Sequence, residues 1–121
     1  MEVGSLIDVK EYTGTDFKRL VESDSWSVAM LRYSDRFSKF EVLERHLKTD
    51  EVFVLQTGRA TLCVRNDTTG KTETAELESL RVYNVPRGVW HHIVVSEDAS
   101  VLVVENRNTS KDNTERRDVV C

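Results

Sequence analysis

Apolar residues along this chain either alternate with polar ones or gather in short blocks, and no long segment keeps the period of a helix. KFEVLERHL (39–47) alternates strictly: Phe40, Val42, Glu44 and His46 share one face, and Glu41, Leu43, Arg45 and Leu47 the other. WSVAMLRY (26–33), EVFVLQ (51–56), ATLCVRN (60–66), RVYNVP (81–86), VWHHIVVSE (89–97) and ASVLVVENRN (99–108) also read as strands, rich in β-branched and aromatic residues. Turn signals separate them: SDRFS after Tyr33, the TD corner at Thr49–Asp50, Gly58, DTTGK (67–71) and the Arg87–Gly88 pair. TETAELESL (72–80) mixes helix-favouring Glu and Ala with strand-favouring Thr, and its surroundings decide for strand. At the N-terminal end, SLIDVKEYTGTDFKRLVESDSW reads as a short strand, a turn at Gly14 and a brief irregular or helical piece. At the other end, TSKDNTERRDVVC is polar and expected to be loosely held.

Many short strands with turns between them predict an all-β sandwich or barrel. VLVVEN and HHIVV are apolar on both faces, so one face is expected inside the barrel and the other against a second sheet or subunit. A chain of 121 residues fits one domain with one core and one pocket, with the barrel at about 28–106 and a polar tail at about 109–121.

Composition narrows the function classes. No apolar stretch is long enough to span a membrane, and the first residues lack the basic-then-apolar pattern of a signal peptide, so a cytoplasmic protein is expected. The net charge is −4, and Lys and Arg are interleaved with acids, which argues against a nucleic-acid partner. The two cysteines, Cys63 in a strand and Cys121 at the last position, make no disulfide framework, and Cys63 reads as a small buried hydrophobe.

Two pieces carry chemistry. One is E-x-H-x(4)-E-x(6)-G at Glu44, His46, Glu51 and Gly58, and the other is P-x-G-x(2)-H at Pro86, Gly88 and His91. Glu44 and His46 point the same way from one strand, Glu51 opens the next strand, and His91 enters a strand straight after a Pro-Gly turn. Imidazole and carboxylate donors of this kind suit divalent Mn, Fe, Ni or Zn, and a barrel mouth lined by them is a common ligand site.

Both pieces resemble the two cupin motifs, G-x(5)-H-x-H-x(3,4)-E-x(6)-G and G-x(5)-P-x-G-x(2)-H-x(3)-N. The resemblance covers roughly residues 28 to 106 and implies a double-stranded β-helix, or jelly-roll, cupin barrel. It further implies that His46, Glu51 and His91 ligate a divalent metal. Glu44 stands where the family has its first histidine, Ser38 and Leu80 where it has opening glycines, and Val95 where it has asparagine. Glu44 is then a fourth ligand or a general base beside the metal, and the same replacement also suits a site that has given up its metal. ERH and WHH are similar to the ureidoglycolate lyase branch, which cleaves ureidoglycolate to glyoxylate and urea.

Neighbouring residues complete the expected site. Asp50 competes with Glu51 as the ligand, and motif spacing favours Glu51. Lys48 follows Glu44 and His46 in parity and could hold a substrate carboxylate, with a plain turn lysine as the simpler reading. Of Arg32 and Tyr33 one should face inward, and an inward Arg32 would clamp an anion. Trp90 and His92 should face away from His91. The expected protein is a homodimeric, metal-binding cupin for a small polar metabolite, acting as an isomerase, lyase or dioxygenase, with a binding module or a structural barrel as the alternatives.

Overall fold

The computed structural model describes residues 6–40 and 42–118. Ten strands follow in order: β1 Asp16–Ser23, β2 Trp26–Arg32, β3 Leu43–His46, β4 Glu51–Thr57, β5 Ala60–Asn66, β6 Lys71–Glu76, β7 Val82–Val85, β8 Trp90–Val95, β9 Ser100–Asn106 and β10 Thr114–Arg117. Short 3-10 turns occupy Asp35–Phe37 and Lys111–Asn113. The strands form two antiparallel five-stranded sheets, ordered β1-β2-β9-β4-β7 and β10-β3-β8-β5-β6. This is the all-β architecture that the strand pattern predicts, in the jelly-roll form that the resemblance implies. Among the described residues no helix is long and apolar enough to cross a membrane.

Alternation decides what faces inward. In β4, Glu51, Phe53 and Leu55 are buried while Val52 and Val54 are half-buried, and β9 repeats this with Val101, Val103 and Glu105. The inward rows of both sheets meet in one core containing Leu31, Phe37, Phe53, Leu62, Ile93 and Val103. Each such side chain contributes about 1.5–3 kcal/mol by leaving water. A second, smaller cluster of Leu43, Cys63 and Trp90, with Phe40 packed against it, lies on the outer face of the second sheet. Cys63 is fully buried there but is not a free thiol, and Cys121 lies outside the described residues.

Turn chemistry sets the register at two points. Gly58 takes φ 75° in the turn that carries the chain from β4 in one sheet to β5 in the other, and a Cβ on it would meet the Ala99 backbone at 2.6 Å, so a side chain is excluded both by conformation and by space. Leu80 has φ 68° and donates its N–H to the Leu55 carbonyl at 3.0 Å. It keeps the left-handed backbone that a glycine would adopt more cheaply, at a cost of about 1–2 kcal/mol.

Three expectations need correction. The long alternation at 39–47 contracts to the four residues of β3, and Phe40 joins the outer cluster with Leu43 instead of sharing a face with His46. Glu41 lies outside the described residues. The segment expected to be irregular or helical before Trp26 is the eight-residue strand β1. The polar tail is not loose throughout, because Thr114–Arg117 pairs with β3 in the register Thr114↔His46 to Arg117↔Leu43.

Candidate metal centre

The end of β3, the start of β4 and the start of β8 converge on one cavity of about 740 Å³ between the sheets. Each contributes one buried donor: His46 from β3, Glu51 from β4, His91 from β8. Glu51 Oε1 lies 2.9 Å from His91 Nε2 and 3.3 Å from His46 Nε2. One donor atom from each residue falls within 4.8 Å of the others, so a single ion can reach all three.

The backbone around them explains the placement. Gly88, at φ 80°, donates its N–H to the His46 carbonyl at 2.8 Å, which ties the Pro-Gly turn to the end of β3. Asp50 accepts from the Arg87 N–H at 2.9 Å and from Asn84 Nδ2 at 3.1 Å. Asp50 is exposed and holds that turn, so Glu51 and not Asp50 joins the buried cluster with His46 and His91. The ring of His91 meets Phe53 edge to face with centroids 6.0 Å apart, and its Nδ1–H donates to the Val89 carbonyl at 3.0 Å. A carbonyl can only accept, so Nδ1 carries a proton and Nε2 is the atom turned to the cavity.

Charge is concentrated here. Burial pushes the Glu51 carboxyl up, but hydrogen bonds from His46, His91 and Glu105 outweigh it and hold the group well below the usual carboxylate range. His91 is pulled down by burial and more strongly up by Glu51, so its imidazole sits above the ordinary 6.5. Glu105, opposite Glu51 in the β4–β9 register, is pushed up to about 8 by burial and by the hydrogen bond and charge of Glu51. Arg19 reaches Glu105 Oε1 at 3.1 Å. One buried proton is therefore shared across a carboxyl pair, which is the favourable way to hold two acids in a low dielectric.

The other expected site residues divide. Glu44 lines the cavity opposite His91 in the β3–β8 pairing, with Arg116 Nε 3.3 Å from its Oε1, and it lies outside the three-donor cluster. Lys48 does not reach the cavity: β3 ends at His46, the chain bends at Leu47–Lys48, and strand parity no longer applies. Arg32 is also turned away. Leu31 and Ala29 take the inward side of β2, so Arg32 points outward and donates from Nε to the Gly14 carbonyl at 2.9 Å. Tyr33 is the member of that pair packed against the core. Trp90 faces outward as expected. His92 is half-buried, stacks on Phe37 at 5.9 Å and shares a hydrogen bond with the Arg36 carbonyl at 3.0 Å.

Arg19, Glu105, Thr114 and Arg116 are among the cavity-lining residues that the sequence did not point to. Glu105 had a readable signal, a lone acid in the inward parity of Val101 and Val103 within an apolar run.

The same frame recurs in solved proteins. A cupin-2 domain protein from Shewanella frigidimarina superposes with a TM-score of 0.60 at 20% identity, covering 85% of this chain and 87% of that one. The fold is a cupin fold. A variant of Streptomyces PAC13 with uridine superposes with a TM-score of 0.65 at 11% identity over 95% of each chain, and Pac13 is described as a nucleoside dehydratase. Bacillus subtilis oxalate decarboxylase matches with a TM-score of 0.59 at 16% identity over 77% of this chain, which spans only 24% of that larger protein. No protein-family model and no curated protein matches the chain.

Proposed function

We propose that this cupin holds a divalent metal ion through His46 Nε2, His91 Nε2 and the Glu51 carboxylate, and binds a small polar metabolite beside it. The convergence of those three buried donors within 4.8 Å carries the reading. The donor set fits such an ion. Two imidazoles and a carboxylate without sulfur suit Mn, Fe, Ni or Zn, Glu51 is held ionised, and the Nδ1 bond of His91 leaves its Nε2 for coordination. A bound ion supplies Lewis-acid polarisation of a carboxylate or hydroxyl oxygen. His91 Nε2 would give up its proton on holding the ion, so uptake would release acid.

Around that ion this chain's own groups do the rest. Glu44 is the proton-transfer group, since it lines the cavity across from His91 without joining the donor cluster. Arg116 beside it holds its carboxylate and offers a charge to an anionic ligand. The chemistry this favours is that of an isomerase, lyase or dioxygenase, and a non-catalytic module would use the same cavity. Ureidoglycolate cleavage gains nothing from the WHH likeness, because Trp90 packs on the outer face and only His91 joins the donors.

The deciding experiment is metal content by mass spectrometry of protein purified without an affinity tag, beside the His46→Ala, His91→Ala double variant. About one equivalent of metal in the parent chain, lost in the variant, is the expected result. If the parent stays metal-free even after soaking in each of the four metals, the metal reading fails.

We also propose a homodimer through the outer face of the β1-β2-β9-β4-β7 sheet. Val28, Met30, Val52, Val54, Leu102 and Val104 lie on it half-buried, with Trp26 45% and Val82 69% exposed at its margins. That much apolar surface is unusual for a monomer. Light scattering at micromolar concentration should give twice the 13.9 kDa chain mass, and a monomer would refute it.

A further inference from the structure

His46 is oriented from a place that its own strand does not supply. Its Nδ1 lies 2.9 Å from the Thr114 hydroxyl, across the β3–β10 pairing. His91 meets a backbone carbonyl in the equivalent position, fixed by the turn it sits on. His46 depends instead on the side chain of a four-residue edge strand.

That strand is held at both ends. Before it, Arg19 donates to the carbonyls of Arg107 and Thr109, each at 2.8 Å. Ser110 and Asn113 cap each other, and the Leu47 N–H reaches the Asn113 carbonyl at 2.9 Å. After it, the Arg117 guanidinium lies 2.7 Å from Asp67 and its Cζ 4.2 Å from the Trp90 ring centre. The segment from Arg107 to Arg117 is therefore a strap across the cavity, anchored to the first sheet by Arg19 and to the second by Arg117.

We propose that Thr114 is a positioning residue for His46, and that β10 is thereby part of the metal centre rather than a covering. The inference rests on the metal reading above. The hydroxyl pairs with Nδ1, which fixes the rotation of the ring and aims Nε2 at the space shared with Glu51 and His91. Val89 does the same for His91. Both imidazoles are thus set in orientation by partners outside the ligand set.

The test compares Thr114→Val, Thr114→Ala and Thr114→Ser with the parent chain by two readouts: zinc affinity by calorimetry, and the His46 imidazole nitrogen shifts by NMR in zinc-free protein. Val keeps the β-branched shape without the hydroxyl, and Ala is a second hydroxyl-free variant should Val perturb the strand. Both are expected to weaken zinc binding about 10- to 100-fold and to move the His46 nitrogen shifts away from their parent values. Ser, which keeps the hydroxyl, should restore parent affinity. Unchanged zinc affinity in a folded Val or Ala variant overturns the inference while leaving the metal reading intact. A parent chain that takes up no zinc instead removes the metal reading. The NMR then decides the rest, and unchanged His46 shifts in the variants would end the positioning role as well.

Discussion

Trp90→Ala is expected to lower the free energy of unfolding by about 3–5 kcal/mol, the cost of removing a large buried aromatic. Trp90 is 5% exposed although it lies on the outer face of its sheet, because the structure closes over it from three sides. Leu43 and Cys63, both fully buried, pack against its ring. The guanidinium carbons of Arg45 and Arg117 lie 4.7 Å and 4.2 Å from its ring centre, and its Nε1–H donates to Asp67 at 2.8 Å. Asp67 also accepts from Arg65 and Arg117, so the indole is the centre of a polar and apolar knot joining β3, β5, β8 and β10. Removing it leaves a cavity and deprives Asp67 of a donor. Trp90→Phe keeps the ring but not the N–H, and should cost about 1–2 kcal/mol. Guanidinium unfolding midpoints measure both. A loss below about 1 kcal/mol for the alanine variant would show that neither the indole nor the arginines stacked on it hold the cluster together.

The metal-free protein is expected to lose thermal stability as the pH rises from about 5 to about 8. Glu105 carries its proton up to about 8 in the folded chain, against an ordinary 4.5. Below the ordinary value both folded and unfolded chains are protonated there, and the contribution is fully present. As the pH climbs, the unfolded chain sheds the proton first, so the contribution falls away through that window and is gone above about 8. His91 acts in the same direction, since its folded value lies above 6.5. Glu51 works the other way, its contribution being present above 4.5 and lost only on strong acidification. The slope cannot exceed ~1.4 kcal/mol per pH unit for each proton involved. Differential scanning fluorimetry in chelator should therefore show the highest Tm near pH ~5. Glu105→Gln, neutral at every pH, should flatten the decline. A parent profile that is level from pH ~5 to ~8 would mean that the carboxyl pair does not hold its proton.

The architecture and the three donors could be read from the sequence because both depend on regular strands. Period-two alternation is robust in β4 and β9, where Phe53, Leu55, Val101 and Val103 all fall inward as their parity requires. His46, Glu51 and His91 sit at strand ends pinned by Gly58 and the Pro86–Gly88 turn, and turn chemistry is local. Parity failed where the strand stopped. Lys48 was extrapolated two residues beyond the end of β3, and Phe40 three residues before its start. Arg32 had no parity information at all until Leu31 and Ala29 fixed the inward row of β2. β10 escaped notice for a different reason. Its inward face carries Thr114 and Arg116, which meet a polar cavity, and its outward face carries Glu115 and Arg117, which meet Arg45 and Asp67. A strand whose partners are polar on both sides has no hydrophobic signature, and TERR looks like tail. Arg19 was hidden by distance, since only the folded sheet brings it to Glu105.

The order of strands in the two sheets also governs how this molecule comes to exist. Trp26 pairs with residues near Asn106, Glu51 with Glu105, and His46 with Thr114, so the centre of the barrel is closed by contacts far apart along the chain. Hairpins such as β1–β2 and β5–β6 can form early, but neither of these contains any of His46, Glu51 and His91. Closing such long loops is slow, typically milliseconds to seconds for barrels of this kind, and no partly built intermediate offers a high-affinity site. Metal should therefore be captured after the folding barrier and act as a brake on unfolding, so that zinc lengthens the lifetime of the folded chain while leaving its refolding rate unchanged.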